Sequence, residues 1–367
     1  MMLAKIIAGL VLIIVGGLML FDFSVFGSPP TDQQAKGFQS SAQFNTDTGV
    51  FQNRLPNAIN EGSEDGDTWA TLKKLMDKDG DTLPADKLPE VKPNISRFLE
   101  PSETLKSIWL GHSTFLLNLK GVIILIDPMF SDYAAPIPLF VKRFQALVLE
   151  LEELPDIDYI VISHDHYDHL DMKSIKHFIP SKTVFVVPLG VGAHIEGWGI
   201  AKQRIVEKDW WQVAEFEDAK FVATPAQHFS GRSFTDRDKT LWASWVIQAG
   251  GHNVFYSGDS GFDTHFKGIG ERYGPFDVAY METGQYNEQW KAVHLMPAEA
   301  VKAFKDLNAK YYFPVHWGMF RLSVHPWYEP VEKLYANAKQ GNIEIIVPKV
   351  GQLVNINKPA PLELWWR

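Results

Sequence analysis

Three short β-rich runs follow one another early in the second hundred residues. Leu105–Leu110 and Thr114–Leu119 carry β-branched and aromatic residues, Lys120-Gly121 reads as a turn, and Val122–Ile126 is apolar at every position. Runs this short, bounded by glycine and polar residues, predict strands, and an unbroken apolar one predicts a strand buried on both faces. Tyr159–Ile162, Thr183–Val187, Phe221–Thr224, Ala243–Gln248 and Val254–Tyr256 continue the pattern, and Tyr311–Val315 is a further apolar run. Helices are predicted at Met172–Phe178, Pro297–Leu307 and Pro330–Ala338, with each proline where a first helical turn accepts it. Many strands, few helices and long histidine-bearing loops predict a layered α/β domain with its site on loops at strand ends.

The N-terminus has a different pattern. Ile6–Phe21 is an unbroken apolar or glycine run, and counting on to Phe26 meets only Asp22 as a charge. That approaches the roughly 20 residues a bilayer span needs. Lys5 precedes the run while Asp22 and Asp32 follow it, so the positive-inside rule puts Met1 in the cytoplasm and the rest of the chain on the extracytoplasmic, periplasmic side. Residues 1–27 therefore read as a transmembrane anchor, with a cleaved signal segment as the competing reading; Ser24-Val25-Phe26-Gly27 is a poor cleavage site. Residues 28–100 are rich in Pro, Gly, Asn and Asp, with a helix predicted around Thr68–Met76. Asp77–Asp81 superficially suggests a calcium loop, but Thr82 and Leu88 stand where such a loop needs Gly and Glu. This stretch reads as an extension packing on a core domain over 101–367. Within that domain, Met129–Val148 is apolar and broken by Pro136 and Pro138, which argues against a core helix or central strand. It is expected to be an irregular insertion offering an acyl-chain or membrane-contact surface, or packing against residues 28–100.

Composition narrows the function classes. Hydrophobic residues make up 46% and charged residues 22%, the balance of a folded globular chain. A net charge of −9 gives no gain from counterion release, so no nucleic-acid partner is expected. Cysteine is absent, which removes disulfides, a cysteine nucleophile, thiolate-ligated zinc and iron–sulfur clusters.

The chemistry concentrates after Tyr159–Ile162, in Ser163-His164-Asp165-His166-Tyr167-Asp168-His169-Leu170-Asp171. Imidazoles and carboxylates suit divalent metals. On an extended loop His164 and His166 point the same way and can share one ion; Asp168 and His169 fall past a bend and can serve a second. Three later segments, Gln227-His228-Phe229, Gly258-Asp259-Ser260-Gly261 and His316-Trp317-Gly318, each place one further donor after an apolar run.

Together with Trp109–Thr114, Ile126–Ser131, Pro225–Arg232 and Ser257–Gly261, these segments resemble the metallo-β-lactamase-fold hydrolases, and within them the N-acylphosphatidylethanolamine-hydrolysing phospholipase D family. The resemblance runs from about Pro101 to the C-terminus, and Asp165 is a position at which relatives vary. It implies a four-layer αβ/βα sandwich. It also implies two zinc ions sharing a hydroxide: one held by His164, His166 and His228, the other by Asp168, His169 and His316, with Asp259 between them. Asp168 or a metal-held water would manage protons. His294 would stabilise charge on the leaving or phosphoryl oxygen, or be a surface residue at a helix start. His112 and Asp127 would orient ligands, although Asp127 before Pro128 also suits a turn. Histidine and aspartate accept Mn2+ or Fe2+ as well as Zn2+. The implied partners are a glycerophospholipid and the membrane, and family members can form a homodimer. The implied reaction cleaves N-acylphosphatidylethanolamine, or a related lipid, to phosphatidic acid and an (N-acyl)ethanolamine. A lactonase or phosphoesterase acting on a soluble small molecule is the alternative. A serine hydrolase at Gly258–Gly261 and a non-catalytic scaffold are weaker readings, because neither explains the full donor set.

Overall fold

The computed structural model describes residues 21–55 and 81–367. Residues 1–20 and the expected helix at Thr68–Met76 lie outside the described residues. In the extension, β1 (Phe44–Asn45) and β2 (Val50–Phe51) form a small hairpin. The core begins with β3 (Lys106–Gly111), β4 (Thr114–Leu119), β5 (Val122–Ile126), β6 (Tyr159–Val161), β7 (Val184–Pro188) and β8 (Ile205–Lys208). It continues with β9 (Val213–Glu215), β10 (Ala219–Thr224), β11 (Ser244–Ala249), β12 (His252–Tyr256), β13 (Phe276–Glu282), β14 (Ala309–Val315) and β15 (Glu344–Ile345), and β16 (Leu353–Asn355) closes the chain's strand order.

These strands build two seven-stranded sheets, ordered β16-β3-β4-β5-β6-β7-β8 and β9-β10-β11-β12-β13-β14-β15. Each sheet starts as an antiparallel meander and ends as a parallel run, parallel pairing beginning at β5–β6 in one and β12–β13 in the other. Strand parity explains the sandwich. On β12 and β13, Val254, Tyr256, Val278 and Tyr280 belong to the core between the sheets, while Phe255, Ala279 and Met281 face a separate core with Phe266, Ala303, Phe304 and Leu334. Those last four residues lie on helices His265–Tyr273, Pro297–Leu307 and Glu329–Gly341, which cover that face. The Phe115 and Tyr280 rings stack across the intersheet layer at 4.1 Å between centroids. Helix Val191–Gly197 packs against β7 and β8 of the other sheet. The result is an αβ/βα arrangement.

Thr114–Leu119, Val122–Ile126 and Pro297–Leu307 lie where the pattern places them, and most other predicted elements shift by one or two residues. Strand β13 and helices Val191–Gly197 and His265–Tyr273 go unread in the sequence. The first hides a buried run between Asp277 and Glu282, and both helices are short and rich in Gly and His.

The apolar count does not continue as one helix to Phe26. Asp22 accepts the Ser24 N–H at 3.0 Å and caps a 3-10 turn at Phe23–Phe26. Among the described residues no helix is long and apolar enough to cross a membrane. Residues 28–55 and 81–100 do pack on the core, burying Phe38, Phe51, Leu88 and Phe98 in it. The 129–148 insertion contains neither helix nor named strand. Arg143 ties it back by donating to the Met129 carbonyl at 2.5 Å. Leu139 and Phe140 are 80% and 60% exposed, whereas Phe130 is buried and Phe144 packs partly against the core.

Candidate metal centre

The donors gather at one edge of the sandwich because their strands end there. His112 follows β3, the 164–169 segment follows β6, His228 follows β10, Asp259 follows β12, Glu282 ends β13 and His316 follows β14. The expected bend in the long motif is present: the N–H groups of His169 and Leu170 both donate to the His166 carbonyl, at 3.0 and 2.8 Å. His112, Asp127 and His316 have φ of 52°, 37° and 62°. Such left-handed backbone at non-glycine residues is costly and gathers at functional sites. Gly258 also needs its left-handed φ of 55°, and a Cβ there would stand 2.8 Å from Ser163 Cβ. Glycine lets the Asp259 loop approach the 164–169 loop.

Among the described residues the donors form overlapping clusters: two distinct donor sets, a third cluster of Asp259, Glu282, His294 and His316, and a fourth of His164, His169 and Asp259. His164, His166 and His228 place ring nitrogens within 4.8 Å of one another, and so do the donor atoms of His112, Asp168, His169 and His316. Asp259 lies between the sets. Its Oδ2 is 3.2 Å from His169 Nε2, 3.8 Å from His228 Nε2 and 3.9 Å from His164 Nε2, while its Oδ1 is 3.2 Å from His316 Nδ1. His169 Nε2 and Asp259 Oδ1 are buried without a hydrogen-bond partner. Buried polar atoms rarely stay unpaired, so such atoms on adjacent donor side chains fit a cation held among them.

The electrostatics point the same way. Burial drives His164, His228 and His316 well below the ordinary imidazole range, leaving them neutral and free to ligate. Burial also opposes charge on His169, yet Asp259, Asp168 and Asp127 together push it well above that range. Asp168 and Asp259 fall well below the carboxylate range despite burial, held by the surrounding histidines, His169 first. This much converging negative charge calls for a cation.

An outer layer fixes the donors. Asp127 Oδ2 accepts from His169 Nδ1 at 2.7 Å and from the hydroxyls of Ser163 and Tyr256 at 2.5 Å each. It is therefore an orienting residue as well as a turn residue. His112 Nε2 lies 2.9 Å from Asp168 Oδ2, close enough to orient that carboxylate. Asp165 joins the two histidine loops by accepting from the Gly231 N–H at 2.8 Å and the Thr240 hydroxyl at 2.8 Å. Arg232 repeats the link by donating to the carbonyls of Asp165 and Leu170.

His294 stands beside the donors: its ring lies 5.1 Å from that of His228 and 5.3 Å from that of His316. His294 Nδ1 is 2.8 Å from Glu282 Oε2, and Glu282 Oε1 accepts the Leu295 N–H at 2.6 Å. Burial pushes the Glu282 carboxyl up to about 7 against the pull of His294. Glu282 was missed in the sequence because its strand was missed, although a carboxylate closing an apolar run is the same signal that marks Asp259. Asn53, in the extension, was missed because nothing around it marks chemistry; its side chain bonds to the backbone of His228. Among the site residues His166 and His294 are partly exposed, and Phe229, also partly exposed, lies against His166 at 4.5 Å. These three form a partly exposed edge of the centre.

Comparison with known proteins follows this geometry. Residues 123–317, just over half of the chain, match the Beta-lactamase superfamily domain. The chain is 42% identical over 299 residues to an uncharacterised Mycobacterium tuberculosis protein, covering 80% of each. It is 34% identical over 310 residues to N-acyl-phosphatidylethanolamine-hydrolyzing phospholipase D 1 of Caenorhabditis elegans, covering 78% of this chain and 85% of that one. In fold it is similar to Igni18, a metallo hydrolase of Ignicoccus hospitalis, with a TM-score of 0.54 and 23% identity over 68% of this chain and 97% of that one.

Proposed function

The chain belongs to the N-acylphosphatidylethanolamine-hydrolysing phospholipase D family of metallo-β-lactamase-fold hydrolases, and on that premise we propose that it cleaves the distal phosphodiester of a glycerophospholipid. The products are phosphatidic acid and an ethanolamine or N-acylethanolamine. The observation that carries this reading is the pair of donor sets joined by Asp259 with a carboxylate-held histidine beside them.

In this reading His164, His166 and His228 hold one zinc ion, Asp168, His169 and His316 hold a second, and Asp259 serves both. Bound there, the two ions supply a lowered pKa for water and neutralise charge on the phosphoryl oxygens. The chain's residues do the rest. Asp127 and His112 hold His169 and Asp168 in their ligating orientations. Glu282 holds the His294 imidazole so that its other nitrogen is free for the phosphoryl or leaving oxygen. The partly exposed edge at His166, Phe229 and His294 admits the head group while the buried donors exclude bulk water. The apolar N-terminal run and the exposed Leu139 and Phe140 favour a lipid over a soluble ester.

The test is mass spectrometry of products from phosphatidylethanolamine and its N-acyl form, with and without chelator. Phosphatidic acid formed only without chelator is the expected result, and the two rates give the head-group preference. No product from either lipid, with metal confirmed bound, refutes the lipid reading in favour of a soluble phosphoester or lactone.

A further inference from the structure

The loop that presents His228 has no sheet or helix ladder to satisfy its backbone. Polar backbone groups in such a segment need partners from elsewhere. Asn53 supplies them from the far side of the sequence. Its Nδ2 donates to the His228 carbonyl at 2.7 Å, and its Oδ1 accepts the His228 N–H at 3.1 Å. The same Oδ1 accepts from Trp242 Nε1 at 3.0 Å. The side chain thus pairs with both backbone groups of one residue, much as a neighbouring strand would.

The residues beside Asn53 hold adjoining parts of the centre. The Phe51 N–H donates to the Asp238 carbonyl at 2.7 Å, and the Phe51 side chain is buried. Arg54 reaches Asp263 Oδ2 at 3.4 Å and Thr264 Oγ1 at 3.3 Å, on the loop that follows Asp259. That loop is tied in turn to the His228 loop, since the Gly261 N–H donates to the Gln227 carbonyl at 2.8 Å. At the ring end, His228 Nδ1 donates to the Val293 carbonyl at 2.9 Å, which leaves Nε2 for the centre. Asn53 fixes the backbone from which that imidazole springs, and Val293 fixes its rotation.

We infer that Asn53 is a positioning residue of the metal centre, so that the N-terminal extension completes the site that the catalytic domain builds. The inference rests on His228 being a metal ligand, as proposed above, and not on a lipid substrate. An outer residue of this kind acts on the affinity of the ion its ligand holds, with typical effects of about 10–100-fold. Its signature is selectivity: one ion of the pair is affected and the other is spared.

The test uses the full chain loaded with zinc and a chromophoric chelator that reads release of each equivalent. Asn53→Ala is expected to release one equivalent about 10–100-fold faster than wild type and the other at the wild-type rate. Asn53→Asp keeps the acceptor for the His228 N–H and loses the donor, so its release rate falls in between; it keeps the measurement decisive should Asn53→Ala fold poorly. Gln52→Ala, at an exposed neighbour, should match wild type. In a His228→Ala background Asn53→Ala should add nothing. Wild-type release of both equivalents, or an equal further loss on top of His228→Ala, would overturn the inference and leave Asn53 a role in the fold alone. A wild-type chain that holds two ions but cleaves no lipid would sink the substrate reading and leave this measurement standing.

Discussion

Asp127 carries four hydrogen bonds on one carboxylate: from His169, from the Ser163 N–H and hydroxyl, and from Tyr256. An amide in its place keeps the shape but loses one acceptor atom and the charge facing His169, so either the Ser163 N–H on Oδ1 or the three donors on Oδ2 lose their partner. Asp127→Asn should therefore weaken metal binding about 10–100-fold, read by competition with a chelator of known affinity. Unchanged affinity would reduce Asp127 to a turn residue. Glu282 makes a different prediction, because its hydrogen bonds go to His294 and the Leu295 N–H. Glu282→Gln should keep the metal content and KM while kcat on a lipid falls about 10–100-fold. The fall should be much smaller on bis(4-nitrophenyl) phosphate, whose leaving group is stable as an anion. Equal losses on both substrates would mean that Glu282 only supports the loop. Both carboxylates follow apolar strands, yet only Asp127 was legible in the sequence. Its neighbours Ile126 and Pro128 mark a familiar segment, whereas Glu282 closes a run that Asp277 interrupts.

At the scale of elements, the legible strands are mostly unbroken apolar runs, whereas β13 enters two cores yet carries Asp277 within it and went unread. Val122–Ile126 is apolar throughout because both its faces are buried. The edge strand Val213–Glu215 is half exposed and carries no comparable signal. The site was legible where several donors crowd one loop, at His164–His169, and where a single donor follows a buried run. It was illegible where a contact joins distant segments, as Asn53 joins His228 across 175 positions. The insertion at 129–148 shows a similar limit. Its apolar residues look alike in sequence, but the structure separates them: Leu139 and Phe140 face solvent while Phe144 packs on the core, its N–H bonded to the Met319 carbonyl at 2.9 Å. Leu139→Glu with Phe140→Glu should weaken binding to anionic and zwitterionic liposomes and leave hydrolysis of a soluble diester unchanged. Phe144→Glu should instead lower thermal stability, since it buries a charge without a partner. Loss of soluble-diester activity in the double variant would place the insertion in the centre's architecture and not at a lipid surface.

For the whole molecule the question is how the N-terminal segment relates to the chemistry. Residues 21–55 run from the end of the apolar stretch to the metal centre, and they are bound along the way. Trp198 Nε1 donates to the Ser24 carbonyl at 2.7 Å, and Arg232 donates to the Val25 carbonyl at 2.8 Å. A Cβ on Gly27 would stand 2.2 Å from His194 Nδ1, so the chain passes where a side chain does not fit. Arg232 also donates to the Asp165 and Leu170 carbonyls, so it joins the segment at Val25 to the loop of His164–His169. Removing residues 1–20 leaves every one of these contacts in place, whereas removing residues 1–55 deletes them together with Asn53. The first truncation should move the protein from the membrane to the soluble fraction, keep two ions per chain and keep full turnover of a soluble diester, while turnover of vesicle lipid falls. The second should lose metal affinity even when it stays soluble, since His228 loses its backbone partner. Fractionation, metal analysis and the two assays separate these outcomes. Retention of the first truncation in the membrane fraction would overturn the anchor, and full metal affinity in the second would overturn the coupling of the extension to the centre.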